Sequence, residues 1–215
     1  MPRTSDARER LVRSAVQLFL TRSYQSVGVE ELCAAADVRR GSFYHFFPAK
    51  SDLAKAVIDH HAAALWERLD QAAGASPASD GGASPASEGA AEAAARLHAM
   101  ADAVGEIQSG FEARFGRVVG CPFGNLAAEL ATTEDGLRAH LAAVFAGWQR
   151  RLAVLCRAAA DRGALRDGVD PDLLATILVA QFQGMILLAK TGRSDASQIP
   201  RALHQVIAAN LRERA

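Results

Sequence analysis

An all-α fold of about nine helices is what this sequence predicts, and three features predict it. Alanine, leucine and arginine are abundant, and apolar residues recur at three- and four-residue spacing along most of the 215 residues. No β-branched alternating stretch of strand length occurs. Half of the residues are hydrophobic, enough for a sizeable core. The length accommodates one small and one medium domain. The pattern divides near residue 50, into a three-helix domain over 1–50 and a larger helical domain over 51–215.

The first helix is expected over Ser5 to Arg22, burying Leu11, Ala15, Leu18 and Phe19. The second buries Val29, Leu32, Cys33 and Ala36, with Gly28 at its N-cap and Glu31 in the helix-entry position. A turn at Asp37-Val38 leads into a third short helix, Arg39 to Phe46. Two short helices joined this tightly have the layout of a helix-turn-helix, whose second helix enters the DNA major groove. Arg39, Arg40 and Ser42 at its start, then Tyr44, His45 and Lys50, supply donors for base edges and phosphates. The alternative is a helical hairpin that merely carries arginines. A fourth helix runs from about Ser51 to Ala72 with Leu53, Val57, His60, Ala64 and Leu65 at helical spacing.

Residues 74–89 repeat an octapeptide, GASPASDG then GASPASEG. Such Gly/Ala/Ser/Pro composition cannot bury enough apolar surface to offset its ordering entropy, so a disordered loop is expected there. Five more helical segments follow, at about 90–115, 122–132, 134–162, 171–190 and 197–212. Thr132 or Thr133 can cap the third of these, and Asp170-Pro171 opens the fourth. The last two are apolar on more than one face. Leu174, Leu178, Gln181, Met185 and Leu188 share one face of the first, and Leu203, Ile207 and Leu211 one face of the second. These faces fit either a subunit interface or the core of the chain itself. The longest apolar run, Leu173 to Ala189, contains Gln181, Gln183 and Gly184 and is short and polar for a membrane span.

The stretch GSFYHFF followed by K-S-D-L, with RERLVRSAVQLFLTRSY upstream, resembles the DNA-binding domain of the tetracycline-repressor (TetR) family of bacterial regulators. The resemblance covers roughly residues 6–60. It implies that Arg40, Gly41, Ser42 and Tyr44 face groove and backbone, and that His45 and Lys50 meet phosphates. It also implies that Phe43 and Phe47 are core positions fixing the recognition helix. Three positions depart from the family pattern: Gly28 replaces a capping Ser or Thr, Asp37 the turn Gly, and Arg39 a Ser or Thr. Asp tolerates the left-handed region better than most residues, and Arg39 bears on half-site sequence. The resemblance further implies a homodimer through the last two helices, with Leu174, Leu178, Met185, Leu203 and Ile207 at the interface.

The formal net charge is zero, but residues 1–55 carry nine Lys/Arg against six acids, so the remainder is acidic. Positive charge thus sits at the end that would meet phosphate. Three cysteines and no recognisable leader lead us to expect a reducing cytoplasm.

Gly120-Cys121-Pro122-Phe123-Gly124-Asn125-Leu126-Ala127-Ala128-Glu129 resembles the GC-x-x-GNLAAE pattern of one branch of the family, some members of which respond to electrophiles. Pro122 suits the first position of a helix, which places Cys121 at the N-cap, where the helix dipole lowers a thiol pKa. Lys190, in a stretch that also matches that branch, would lower it further if buried nearby. The other reading is a Cys121 that is a small buried hydrophobe and a solvated Lys190. Trp66, Phe111, Phe115, Phe123, Trp148 and Phe182 can line an apolar effector cavity or simply be core, with Asn125 and Gln181 its expected polar groups.

The function expected is a DNA-binding transcriptional regulator, of repressor sign, released from a palindromic operator by a small apolar or electrophilic effector. The alternatives are a thiol-dependent enzyme and a dimeric interaction module that does not bind DNA. His60 and His61 are adjacent on a helix and make a poor metal pair. No metalloprotease, Cys-x-x-Cys, nucleophile-elbow or phosphate-loop pattern occurs, so neither enzyme activity, metal nor cofactor is expected.

Overall fold

The computed structural model describes residues 4–74, 89–192 and 194–212. Nine helices occur among them: α1 (Thr4–Thr21), α2 (Val29–Ala36), α3 (Arg40–Phe46), α4 (Lys50–Ala72), α5 (Ala90–Phe115), α6 (Pro122–Leu130), α7 (Asp135–Asp161), α8 (Pro171–Lys190) and α9 (Gln198–Asn210). The only β pairing among the described residues is an isolated bridge between Leu165 and Leu211. The fold is all-α, as expected. The octapeptide repeat lies outside the described residues, apart from its two ends.

Two compact units make up the chain. The first holds residues 1–64 and 120–144, the second residues 65–119 and 145–215, and α4 and α7 each pass from one to the other. In the first unit α1 packs on α2 and α3, and Leu11, Ala15 and Phe19 of α1, Leu32, Cys33 and Ala36 of α2, Phe43 of α3 and Leu53 and Val57 of α4 are buried. His60 and Ala64, expected on the buried face of α4, are exposed instead, and the half-buried histidine is His61. The buried stripe of α4 runs through Leu53, Val57, Ala62, Leu65 and Leu69, so after Val57 it steps by four to His61 and not by three to His60.

In the second unit α5 lies against α9. Gly105 permits the approach: a Cβ there would sit 2.8 Å from Pro200 Cγ. The same seam carries a polar chain. His204 Nε2 donates to Asp102 Oδ1 at 2.7 Å, and His204 Nδ1 is 2.7 Å from His98 Nδ1. Burial, then the neighbouring His204, holds the His98 pKa below its ordinary value, against the pull of Asp102. Asp170 caps α8, accepting from the Asp172 and Leu173 N–H groups at 2.9 and 3.2 Å. Thr133 does not cap α7 as expected; its hydroxyl donates back to Leu130 O at 3.4 Å.

The interface residues expected on α8 and α9 need correction. Leu174, Leu178, Leu203 and Ile207 are buried inside the chain, at most 2% exposed, and Met185 is half-buried. They close α8 onto α9. The large apolar residues α8 leaves exposed are Leu173, Ile177, Leu187 and Leu188. Both faces are apolar, so periodicity could not tell which one turned inward. The helix is also long and apolar enough to cross a membrane by length and composition, but Leu174, Leu178, Phe182 and Ile186 are buried within the fold.

Candidate nucleic-acid interface and effector site

The helix-turn-helix is built by its turn. Asp37 takes a left-handed conformation, φ 50°, ψ 52°, and the N–H groups of Asp37 and Val38 close the end of α2 on Ala34 O and Cys33 O. Arg10 of α1 pins the same turn from outside. Its Nε donates to Ala36 O at 2.9 Å and its Nη2 to Asp37 O at 3.2 Å, while Asp6 holds Nη1 at 2.7 Å. Sequence reasoning gave Arg10 no role. The signal available was an arginine one helical turn from Asp6, on a helix expected to pack against α2.

Two buried aromatics, Phe43 and Phe47, seat α3, with ring centroids 6.0 Å apart. Arg40, Gly41, Tyr44 and His45 then share the outward face, Ser42 is half-buried, and Arg39 is the exposed N-cap. Arg40 is held by Glu30 of α2 at 3.0 Å, and its guanidinium lies 5.8 Å from the Tyr44 ring centroid. The outward face therefore offers a guanidinium, a phenol and an imidazole over a backbone bare of a side chain at Gly41. Such a surface can donate to bases and phosphates.

Lys50 is placed differently from its expected role at phosphate. It is half-buried, and its Nζ donates to Tyr24 O at 3.0 Å and Val27 O at 3.2 Å and lies 4.1 Å from the Tyr24 ring centroid. Burial pulls the Lys50 pKa down, opposed by the charges of Glu129 and Glu134. Burial also drives the Tyr24 phenol up to about 12, aided by Glu134, Glu129 and Asp52. Glu129, near the end of α6, accepts from the Tyr24 and Gln25 N–H groups at 2.8 and 2.7 Å.

Cys121 is the N-cap of α6, with Pro122 at the first helical position, as expected; it is also buried, 6% exposed. Phe123 is buried and meets His61 edge-on, with centroids 6.3 Å apart. Burial, then the adjacent His60, lowers the His61 pKa to about 4, so this imidazole is neutral at physiological pH. Asn125 is half-buried in the same helix. Lys190 belongs to the second unit and is exposed at the last turn of α8, rather than buried. Burial raises the thiol pKa of Cys33 and pushes that of Cys156 to about 12, with Asp172 adding to it, so both are inert hydrophobes.

In the second unit, Trp148 of α7 stacks on Phe182 of α8 with centroids 5.4 Å apart, and both are buried. Phe111 and Phe115 lie together on α5, and Trp66 lies under Arg151. Gln181 is half-buried. Among the described residues, two buried polar side-chain atoms have no hydrogen-bond partner, Trp148 Nε1 and Gln108 Oε1. Gln108, only 2% exposed, is the one buried polar residue of the described core, and sequence reasoning missed it. A glutamine on an otherwise apolar α5 stripe with Leu97, Met100, Ala101 and Val104 was the available signal.

Profiles of two families match: bacterial regulatory proteins of the tetR family over residues 11–57, and the tetracyclin repressor-like C-terminal domain over residues 93–206. The chain belongs to the TetR family. Among its relatives are the transcriptional regulator AcuR of Cereibacter sphaeroides, 36% identical over 88% of this chain and 78% of that protein, and the HTH-type transcriptional repressor DhaR of a Mycobacterium species, 30% identical over 87% and 84%. The crystal structure of a regulatory protein TetR from Rhodobacter sphaeroides aligns with a TM-score of 0.75 at 32% identity, covering 96% of this chain and 99% of that one. This TetR-family chain is a DNA-binding transcriptional regulator. Dimers that answer to small-molecule effectors are typical of the family.

Proposed function

We propose that this TetR-family regulator is a cytoplasmic homodimeric repressor that leaves a palindromic operator when a small amphiphilic molecule binds its second unit. The observation that carries the reading is the pair of unsatisfied buried groups, Gln108 Oε1 and Trp148 Nε1. A buried polar group without a partner costs about 1–3 kcal/mol, and one is an acceptor while the other is a donor. A molecule with an apolar body and polar groups of both kinds, such as a primary amide, would answer to them, with the Trp148–Phe182 stack to pack the body; a carboxylate only accepts and would answer to Trp148 Nε1 alone. Trp66, Phe111, Phe115 and Gln181 are the further candidates for contact within that unit.

The exposed apolar stripe of α8, Leu173, Ile177, Leu187 and Leu188, supports dimerisation, since single-chain burial leaves it uncovered. Two recognition helices related by a twofold axis would read half-sites in successive major grooves, about 34–36 Å apart. DNA footprinting next to the protein's own gene, with and without candidate carboxylic acids and amides, tests the reading. Protection of a palindrome that such a ligand abolishes supports it, and protection unaffected by every ligand rejects the effector part. A second reading, a thiol sensor at Cys121, is favoured by the N-cap position of that residue and opposed by its burial. Iodoacetamide labelling of Cys121 no faster than that of Cys156 removes it.

A further inference from the structure

The loop between α1 and α2 has two charged side chains hydrogen-bonded to its backbone. Lys50, the first residue of α4, donates to the carbonyls of Tyr24 and Val27 at 3.0 and 3.2 Å. Glu129, the penultimate residue of α6, spans the N–H groups of Tyr24 and Gln25 at 2.8 and 2.7 Å. Tyr24 is thus gripped at both its N–H and its C=O, with its ring packed against Phe19, centroids 5.2 Å apart. All of these residues belong to the first unit. A cation in the first turn of a helix opposes the helix dipole, so Lys50 is out of place for α4 itself. Its surroundings account for it, because two carbonyls and the charges of Glu129 and Glu134 compensate.

We propose that Glu129 and Lys50 form a clamp that sets the position of the α1–α2 loop, and that both are positioning residues for operator binding rather than DNA contacts. The loop delivers the chain into α2: Gly28, the N-cap of α2, follows Val27 directly, and α2 leads through the Asp37 turn to α3. A displaced loop tilts α2 and carries Arg40, Tyr44 and His45 away from the groove. The clamp also joins α6 to the reading head through two charge-assisted hydrogen bonds, a class stronger than neutral ones. Lys50 therefore differs from the phosphate ligand that the sequence resemblance implied, and Glu129 acquires a role where the resemblance assigned none.

Salt dependence separates a clamp from a phosphate contact. Each lost phosphate contact lowers the slope of log K against log salt by about 0.9, so a dimer losing one in each half-site falls by about 1.8. The probe is a duplex selected by the wild-type protein from a random-sequence library, with binding followed by fluorescence anisotropy over a range of salt. Lys50→Met is expected to weaken binding about ten-fold, the weight of one charge-assisted hydrogen bond, with the slope unchanged. Glu129→Gln keeps the shape but presents an amide N–H₂ to one of the two donors. It is expected to weaken binding similarly, again without a change of slope, and to speed hydrogen exchange at the Tyr24 and Gln25 amides while the amides of α5 and α9 stay protected. The double variant is expected to lose less than the sum of the two. A slope lowered by about 1.8 in Lys50→Met overturns the proposal, as does wild-type affinity in either single variant. Should Glu129→Gln not fold, the slope and affinity of Lys50→Met decide alone.

Discussion

Gly105→Ala should destabilise this protein and Gly110→Ala should stabilise it, although both replace a glycine of α5 by the best helix former. In an unobstructed helix interior the exchange gains about 0.8–1.0 kcal/mol. Nothing lies within 4 Å of a Cβ built on Gly110, so that gain should appear nearly whole. At Gly105 the new Cβ would lie 2.8, 3.0 and 3.1 Å from Cγ, Cδ and Cβ of Pro200. Carbon atoms in contact prefer about 3.5–4.0 Å, and the proline ring is fused to the backbone of α9 and cannot rotate away. The helices must part by several tenths of an ångström, which also strains the His98–His204–Asp102 chain on the same seam. Overpacking costs about 1–3 kcal/mol, and a rigid neighbour puts this case in the upper part of that range. The net is a loss of about 1–2 kcal/mol. For a chain of this size, where 1 kcal/mol moves Tm by about 2–4 °C, that is a fall of roughly 2–8 °C. Gly110→Ala should raise Tm by about 2–4 °C on the same scale. Thermal unfolding of both variants at one protein concentration checks the pair. A Gly105→Ala protein that melts at or above the wild type refutes the close approach of α5 to α9.

Three further outcomes are expected. Ile177→Asp, on the exposed face of α8, should yield a folded monomer by sedimentation, whereas Leu178→Asp, one residue on and buried, should abolish folding; an intact Ile177→Asp dimer sends the interface elsewhere. Gln108→Leu should raise stability by about 1 kcal/mol, because an unsatisfied acceptor leaves the core, and should remove the response to amides; a lower Tm would mean that Gln108 is already satisfied. His61, with a folded pKa near 4 against an ordinary 6.5, binds its proton more weakly when folded, so stability should fall as pH drops from 6.5 to 4 and level off below. The loss is about 3 kcal/mol at most, and a pH titration of urea midpoints in which His61→Gln shows the same fall as the wild type would clear His61 of it.

How much of this was legible in the sequence depended on the range of the interactions. The reading head is made of local ones. A turn residue that tolerates left-handed φ, two aromatics four residues apart and exposed donors between them lie within about a dozen positions, so a motif resemblance of that length could orient Arg40, Tyr44 and His45 outward. Asp170-Pro171 announced the start of α8 for the same reason, since a cap is satisfied two and three residues away. The phase of α4 was misread after Val57, where a step of three to His60 and a step of four to His61 both reach a histidine, and spacing alone does not choose between them.

The failures share the opposite property. Leu174, Leu178, Leu203 and Ile207 carry the same hydrophobic signal whether α9 or a second subunit covers them, and only the tertiary fold says which. The exposed stripe one position round α8 was in the sequence all along, equally apolar. Lys50 shows the limit most sharply. Its position in K-S-D-L matched a phosphate contact, yet its ammonium is 3.0 Å from a carbonyl 26 residues earlier in the chain. The carboxylate that balances it, Glu129, is 105 residues from the N–H it receives. A motif fixes where a side chain starts; the partner that decides its work comes from an element the motif does not contain. On the clamp proposed above, the stretch that begins at Cys121 bears on operator binding through Glu129, the residue that reaches the α1–α2 loop.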